Sequence, residues 1–208
     1  MDEVMIIFKL VNKTAFKRAV VFFVIATIMT VLGTVITYFV NPDLKGVMES
    51  FGNSSSDQLN EFTGIKKVWA YIVNNGFMVP LQMFVLALIP IQFLYLINVI
   101  STAILPGILF GVVLQLDFIK GIEMITSTLP HYFVEIFAFC LFAAVLFNLN
   151  RVIREKFRSV FKKDKGQVPL AKKVFGAMKI YGVLILPMII VAAFLETYIA
   201  DIIFNLFQ

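Results

Sequence analysis

Charge is scarce in this chain. Asp, Glu, Lys and Arg make up only 15% of its 208 residues, where a soluble domain usually carries about a quarter. There is one cysteine, Cys140, and one histidine, His131. A lone cysteine excludes an intrachain disulfide and says nothing about redox compartment. A lone histidine excludes the two-histidine zinc hydrolase motif, and the sequence holds no GxSxG. No phosphate-binding glycine loop, zinc finger or nucleotide fingerprint is present, so any use of ATP falls to a partner. No cofactor is expected, and the chain reads as a non-enzyme.

What is abundant is apolar. The chain is 60% hydrophobic, with 23 Phe and a mean hydropathy of +0.92. Several uncharged runs are long enough to cross a bilayer, which makes this an all-α, polytopic integral membrane protein of about five transmembrane helices. Short interfacial amphipathic helices accompany them. No cleavable leader pattern is visible, so the first apolar run is expected to be an uncleaved first span.

The net charge of +5 does not point to nucleic acid, because its distribution follows membrane topology. Of the 18 Lys and Arg, 4 lie in residues 1–18, 3 in 41–70, 1 in 116–126 and 10 in 150–179. The apolar runs hold none. By the positive-inside rule the N-terminus and the 150–179 loop are cytoplasmic. The 41–70 loop, the 117–128 loop and the C-terminus are then outside. Contact of the basic segments with anionic headgroups is a second reading of the same charge.

Along the chain, residues 1–18 read as a short interfacial helix with a basic anchor. The first span, 19–40, carries Gly33 and Thr37, a small-xxx-small face that permits a close helix neighbour and hence a homo-oligomer. Asn41-Pro42-Asp43 ends it. The 41–70 loop contains a flexible Gly52–Asp57 stretch, a weak glycosylation pattern at Asn53, and an interface belt of Lys66, Lys67, Trp69 and Tyr71. From Val68 to Leu116 no residue is charged. That length is read as a hairpin of spans 76–97 and 102–116, with its turn at Asn98, Ser101 and Thr102. Asn74, Asn75 and Asn98, with Gln82 and Gln92, are assigned to helix–helix hydrogen bonds. A loop at 117–128 precedes span 130–150, with Pro130 at its first helical position. Residues 151–163 read as a basic amphipathic surface helix ended by Gly166 and Pro169, and the last span is 180–203.

Three acids remain in or near the spans: Glu135, Glu196 and Asp201. His131 and Glu135 are four apart and share a helix face. Spans 4 and 5 run in opposite directions, so Glu135 and Glu196 can meet at similar depth, with His131 one turn further out. Ionisable groups at such a depth demand an explanation. Four readings stand. The first is an interhelical polar network. The second is a proton or ion path. The third is a metal site with His131, Glu135 and Glu196 as candidate ligands. The fourth is an intramembrane hydrolase, for which a second His or a Ser–His or Asp–Asp pair is wanted. The network leads.

The order of these pieces resembles the stage II sporulation protein M family. The resemblance is carried by Asn74-Asn75, the uncharged hairpin with Asn98, the Leu129-Pro130-His131-Tyr132-Phe133-Val134-Glu135 stretch, and Ala192-Ala193-Phe194-Leu195-Glu196. Pro, His and Glu keep the family's spacing, while Tyr132 stands where a Gly is expected and the hairpin is poor in glycine. The resemblance implies a bacterial membrane protein of about five spans. It also implies a scaffold that anchors cell-wall hydrolases, or a membrane subunit accompanying an ATPase in export. The positions it carries over are His131, Glu135 and Glu196, with no role attached.

Overall fold

The computed structural model describes residues 13–40, 63–162 and 170–207, the side chains of 160–162 excepted. The expected interfacial segment before Lys13, the Asn41-Pro42-Asp43 stop, the Gly52–Asp57 stretch with Asn53, and the Gly166 and Pro169 stops lie outside these residues. All regular structure among them is helical, in five helices: α1 (Lys13–Val40), α2 (Ile65–Leu88), α3 (Leu96–Leu116), α4 (Phe118–Lys162) and α5 (Leu170–Asn205). Each is long and apolar enough to cross a membrane. A helix rising about 1.5 Å per residue needs some 20 residues for a bilayer core of about 30 Å.

The apolar positions run almost all the way round each helix, as lipid contact demands. Within that sameness α4 stands apart. In its most apolar stretch 72% of the residues are buried, against 17–33% in the other four helices. It is the central post, and the others pack around it. Phe139, Ile136, Leu146 and Leu149 are fully enclosed there. The helices alternate in direction. Thr30 of α1 meets Ala103 of α3, and Thr37 meets Gln115, so α1 and α3 run parallel. Arg18 reaches Asn148 while Thr30 reaches Tyr132, so α4 runs against α1. Tyr181 and Glu196 of α5 reach Gly76 and Tyr71 of α2, which sets those two antiparallel. Of the described Lys and Arg with described side chains, ten gather at one end of the bundle and three, Lys66, Lys67 and Lys120, at the other.

α1 and α3 pack closely, and the cause is small residues. A β-carbon on Gly111 would stand 2.6 Å from Thr37 Cβ and 2.7 Å from Thr34 O, and one on Gly107 would collide with the Thr30 carbonyl. Gly33 faces the same seam, 3.5 Å from Ile104 O when given a β-carbon. The small-residue face read as permission for a homo-oligomer is therefore spent inside the chain. Any second copy has to use another face. Thr30 Oγ1 lies 2.7 Å from the Ala103 carbonyl and is also hydrogen-bonded to the Tyr132 hydroxyl, which ties α1, α3 and α4 together. That bond gives Tyr132 a structural use at the position where glycine was expected.

Several boundaries differ from the expected spans. The α2–α3 turn is at residues 89–95, not at Asn98–Thr102, which lie inside α3. Pro90 has no N–H to continue a helix, and Phe93 turns the chain with φ 69°, a left-handed value that costs a non-glycine residue. Packing of its ring 5.8 Å from Phe147 offsets that cost. Spans 2 and 3 consequently begin earlier than 76 and 102, at Ile65 and Leu96.

Next, residues 118–128 are not a loop. Only Asp117 is extended, and its Oδ1 accepts from the Ile119 and Lys120 N–H groups at 3.1 Å each, an N-terminal cap. Pro130 therefore sits inside α4 rather than at its start. Finally, the basic segment beginning at Arg151 is no separate surface helix but the continuation of α4 to Lys162, with Val152 buried. The last span likewise begins ahead of 180, at Leu170.

Candidate functional site

Prolines shape the region around the acids. Pro80 and Pro187 each follow a stretch of wider, π-type turns, Ile72–Met78 and Tyr181–Ile185. A proline in a helix leaves the carbonyl four residues back without its donor, and for Pro80 that carbonyl belongs to Gly76. The Tyr181 hydroxyl of α5 donates to it. The local defect in α2 thus becomes a tie to α5. A third π-type stretch, Leu195–Ile199, carries Glu196 and Thr197. Such bulges re-aim side chains and recur at functional sites.

Glu196 is the centre of the site. Its Oε2 stands 2.6 Å from His131 Nδ1 on α4, a close approach that lacks the alignment of a full hydrogen bond. Its Oε1 accepts from the Tyr71 hydroxyl at 3.1 Å and lies 3.7 Å from Lys67 Nζ, both on α2. The carboxylate therefore joins three helices. It is partly enclosed, at 18% side-chain exposure, and Lys67 at 22% is scarcely more open. An ion pair shielded to this degree escapes much of the solvent screening that makes surface pairs weak. Counting helix rise, His131 lies about 30 Å from Arg151 along α4, and Glu196 about 26 Å from Lys179 along α5. The cluster thus sits just inside the boundary of the apolar layer opposite the basic end.

Glu135 is buried one turn further toward the basic end, within electrostatic range of His131 and Glu196. It has no hydrogen bond or ion pair to any described residue. The structure thus brings His131, not Glu135, against Glu196, which departs from the expected meeting of the two acids. Among the described residues no three of His, Cys, Asp or Glu converge as a ligand set for a metal. His131, Glu135 and Glu196 share a region without sharing a ligand centre. Asp201 is exposed near the end of α5.

The hairpin amides divide. Asn98 Nδ2 reaches from α3 to Gln82 Oε1 at 3.1 Å and to the Val79 carbonyl at 3.4 Å on α2. Asn74 bonds its neighbour Asn75 at 2.7 Å and makes no described link across the hairpin. Three important residues escaped the sequence reading. Lys67 and Tyr71 looked like interface anchors, and nothing in one sequence separates a headgroup lysine from one that turns inward. Asn150, only 1% exposed, donates to the carbonyls of Ala87, Ile89 and Ile91 at 3.0, 2.8 and 3.3 Å, and so holds the α2–α3 turn on α4. The signal for it was Pro90, which guarantees carbonyls in need of donors nearby.

Comparison with known proteins gives one positive result. The family model described as Stage II sporulation protein M matches residues 19–201, nearly the whole described bundle and all of the cluster. No curated protein and no solved structure gives a significant match.

Proposed function

The chain belongs to the stage II sporulation protein M family, and from that premise we propose that it is a non-enzymatic membrane scaffold, or the membrane subunit of a larger complex. The polar cluster is its internal clasp. One observation carries this: Glu196 has its charge met from both sides, by Lys67 and Tyr71 of α2 and by His131 of α4. A carboxylate with partners on two other helices holds three helices in register, and truncating a partner would leave a partly enclosed charge less well compensated.

In this proposal the basic end faces the cytoplasm of a bacterial plasma membrane and the C-terminus lies outside. The basic segment around 150–179 and the loop within 41–70 recruit the partners. The family resemblance names their kinds: a cell-wall hydrolase outside, or an ATPase inside.

A second reading is favoured by Glu135. It is buried and has no described bonding partner, yet it lies within electrostatic range of His131 and Glu196. An unpaired carboxyl beside a histidine is the arrangement a proton or ion relay uses. One experiment separates the two readings. Glu135→Gln protein is reconstituted in liposomes for proton and sodium flux, and its partners are recovered from cells by pull-down. Normal assembly with flux absent in both native and variant protein supports the scaffold. Flux in the native protein that vanishes in the variant, with assembly intact, selects the relay.

A further inference from the structure

At the basic end, between α1 and α3, an apolar groove of about 300 Å³ opens toward the bilayer, walled by Phe22, Ile25 and Met29 on one side and Leu96 and Ile100 on the other, with Phe93 at its end. Arg18 is four residues before Phe22, seven before Ile25 and eleven before Met29. That spacing places it on the groove-lining face of α1, one turn beyond the apolar walls. Its guanidinium lies 3.7 Å over the Phe147 ring, which packs in turn on Phe93. Of its five N–H donors, one has a described partner, Asn148 Oδ1, at 3.4 Å. No carboxylate pairs with it among the described residues.

The surroundings sharpen the imbalance. The described residues at this end hold ten basic side chains with described positions and a single carboxylate, Glu155, already paired with Arg151 at 2.8 Å. Arg154 spends its donors on the neutral Asn150 and Gln92. Fully buried Tyr95, in the α2–α3 turn, has a hydroxyl with no partner among the described residues, within electrostatic range of both Arg18 and Arg154. A half-enclosed guanidinium with spare donors at the head of an acyl-sized groove is complementary to one ligand class, a phosphate attached to a hydrocarbon chain.

We propose that this groove is a binding site for an anionic phospholipid, with one acyl chain between α1 and α3 and the phosphate on Arg18. The site lies at the opposite end from the Glu196 cluster and does not depend on the role given to it.

The test uses the purified full-length chain in detergent, with binding read by native mass spectrometry and by thermal shift. The probes are phosphatidylglycerol, phosphatidylcholine with the same acyl chains, and inorganic phosphate. Phosphatidylglycerol binds and stabilises, phosphatidylcholine binds more weakly, and phosphate alone does not protect. Arg18→Gln weakens phosphatidylglycerol about fivefold, the worth of one basic side chain at an anionic surface, while Arg18→Lys retains most of the affinity. Arg151→Gln, which removes a surface charge already paired with Glu155, leaves binding unchanged. Ile25→Trp alters a half-exposed position, so it folds even if Arg18→Gln does not, and it weakens binding by filling the groove. Equal binding of both lipids, protection by phosphate alone, unchanged affinity in Ile25→Trp, or equal losses in Arg18→Gln and Arg151→Gln would each overturn the proposal.

Discussion

Gly107 offers a sharp test of how the bundle is packed. Placing a β-carbon there drives it into the Thr30 carbonyl on α1, which is backbone and cannot rotate away. The helices have to separate. Overpacking of this kind costs about 1–3 kcal/mol. The shift also stretches the 2.7 Å hydrogen bond from Thr30 Oγ1 to the Ala103 carbonyl across the same seam, worth about 1 kcal/mol. Offset by up to about 1 kcal/mol of helix propensity, Gly107→Ala is therefore expected to lower unfolding free energy by about 1–3 kcal/mol, measured by denaturant titration in mixed micelles. Gly176→Ala is the control, because a β-carbon there meets nothing within 4 Å. That change should be neutral or stabilising by up to about 1 kcal/mol through helix propensity. A Gly107→Ala protein as stable as the native one, or a Gly176→Ala protein equally damaged, would refute the packing argument.

Other consequences follow from single side chains. Asn150→Leu keeps the branched shape but strands the carbonyls of Ala87, Ile89 and Ile91, and a loss of about 1–3 kcal/mol is expected, with faster amide exchange confined to residues 87–95. Tyr181→Phe removes the donor to Gly76 and should cost about 1 kcal/mol; no change in unfolding midpoint would mean that the freed carbonyl finds another donor. For orientation, Cys140 is buried, so introduced cysteines can be labelled against a silent background. Lys120→Cys should react with an impermeant maleimide in intact cells, and Lys172→Cys only after permeabilisation; the reverse pattern would invert the proposed topology.

Five spans and their alternation were legible because uncharged length is a strong signal in a membrane chain. Antiparallel order also put α4 and α5 side by side near the polar cluster, but it is His131 rather than the expected Glu135 that meets Glu196. The boundaries were less legible. In helices apolar on every face, periodicity cannot mark where one stops, and the polar Asn98 drew the turn toward itself although it is a helix-to-helix donor. Pro130 looked like a helix start, but Asp117 caps the helix thirteen residues earlier, and a proline inside α4 is tolerated by neighbouring helices. Lys67 was misplaced for a related reason. A lysine near a span end reads identically whether its amine meets headgroups or a carboxylate, and only the packing of α2 on α5, which brings Lys67 to Glu196, decides between them.

Glu196 clasps α2, α4 and α5 together. A double-mutant cycle measures it directly, using Lys67→Met, Glu196→Gln and the pair, each unfolded by denaturant titration in the same micelles. Each single change is expected to be destabilising and the double variant to recover part of the loss, with a coupling of about 0.5–3 kcal/mol. Strictly additive losses, or a Glu196→Gln protein as stable as the native one, would rule out the clasp.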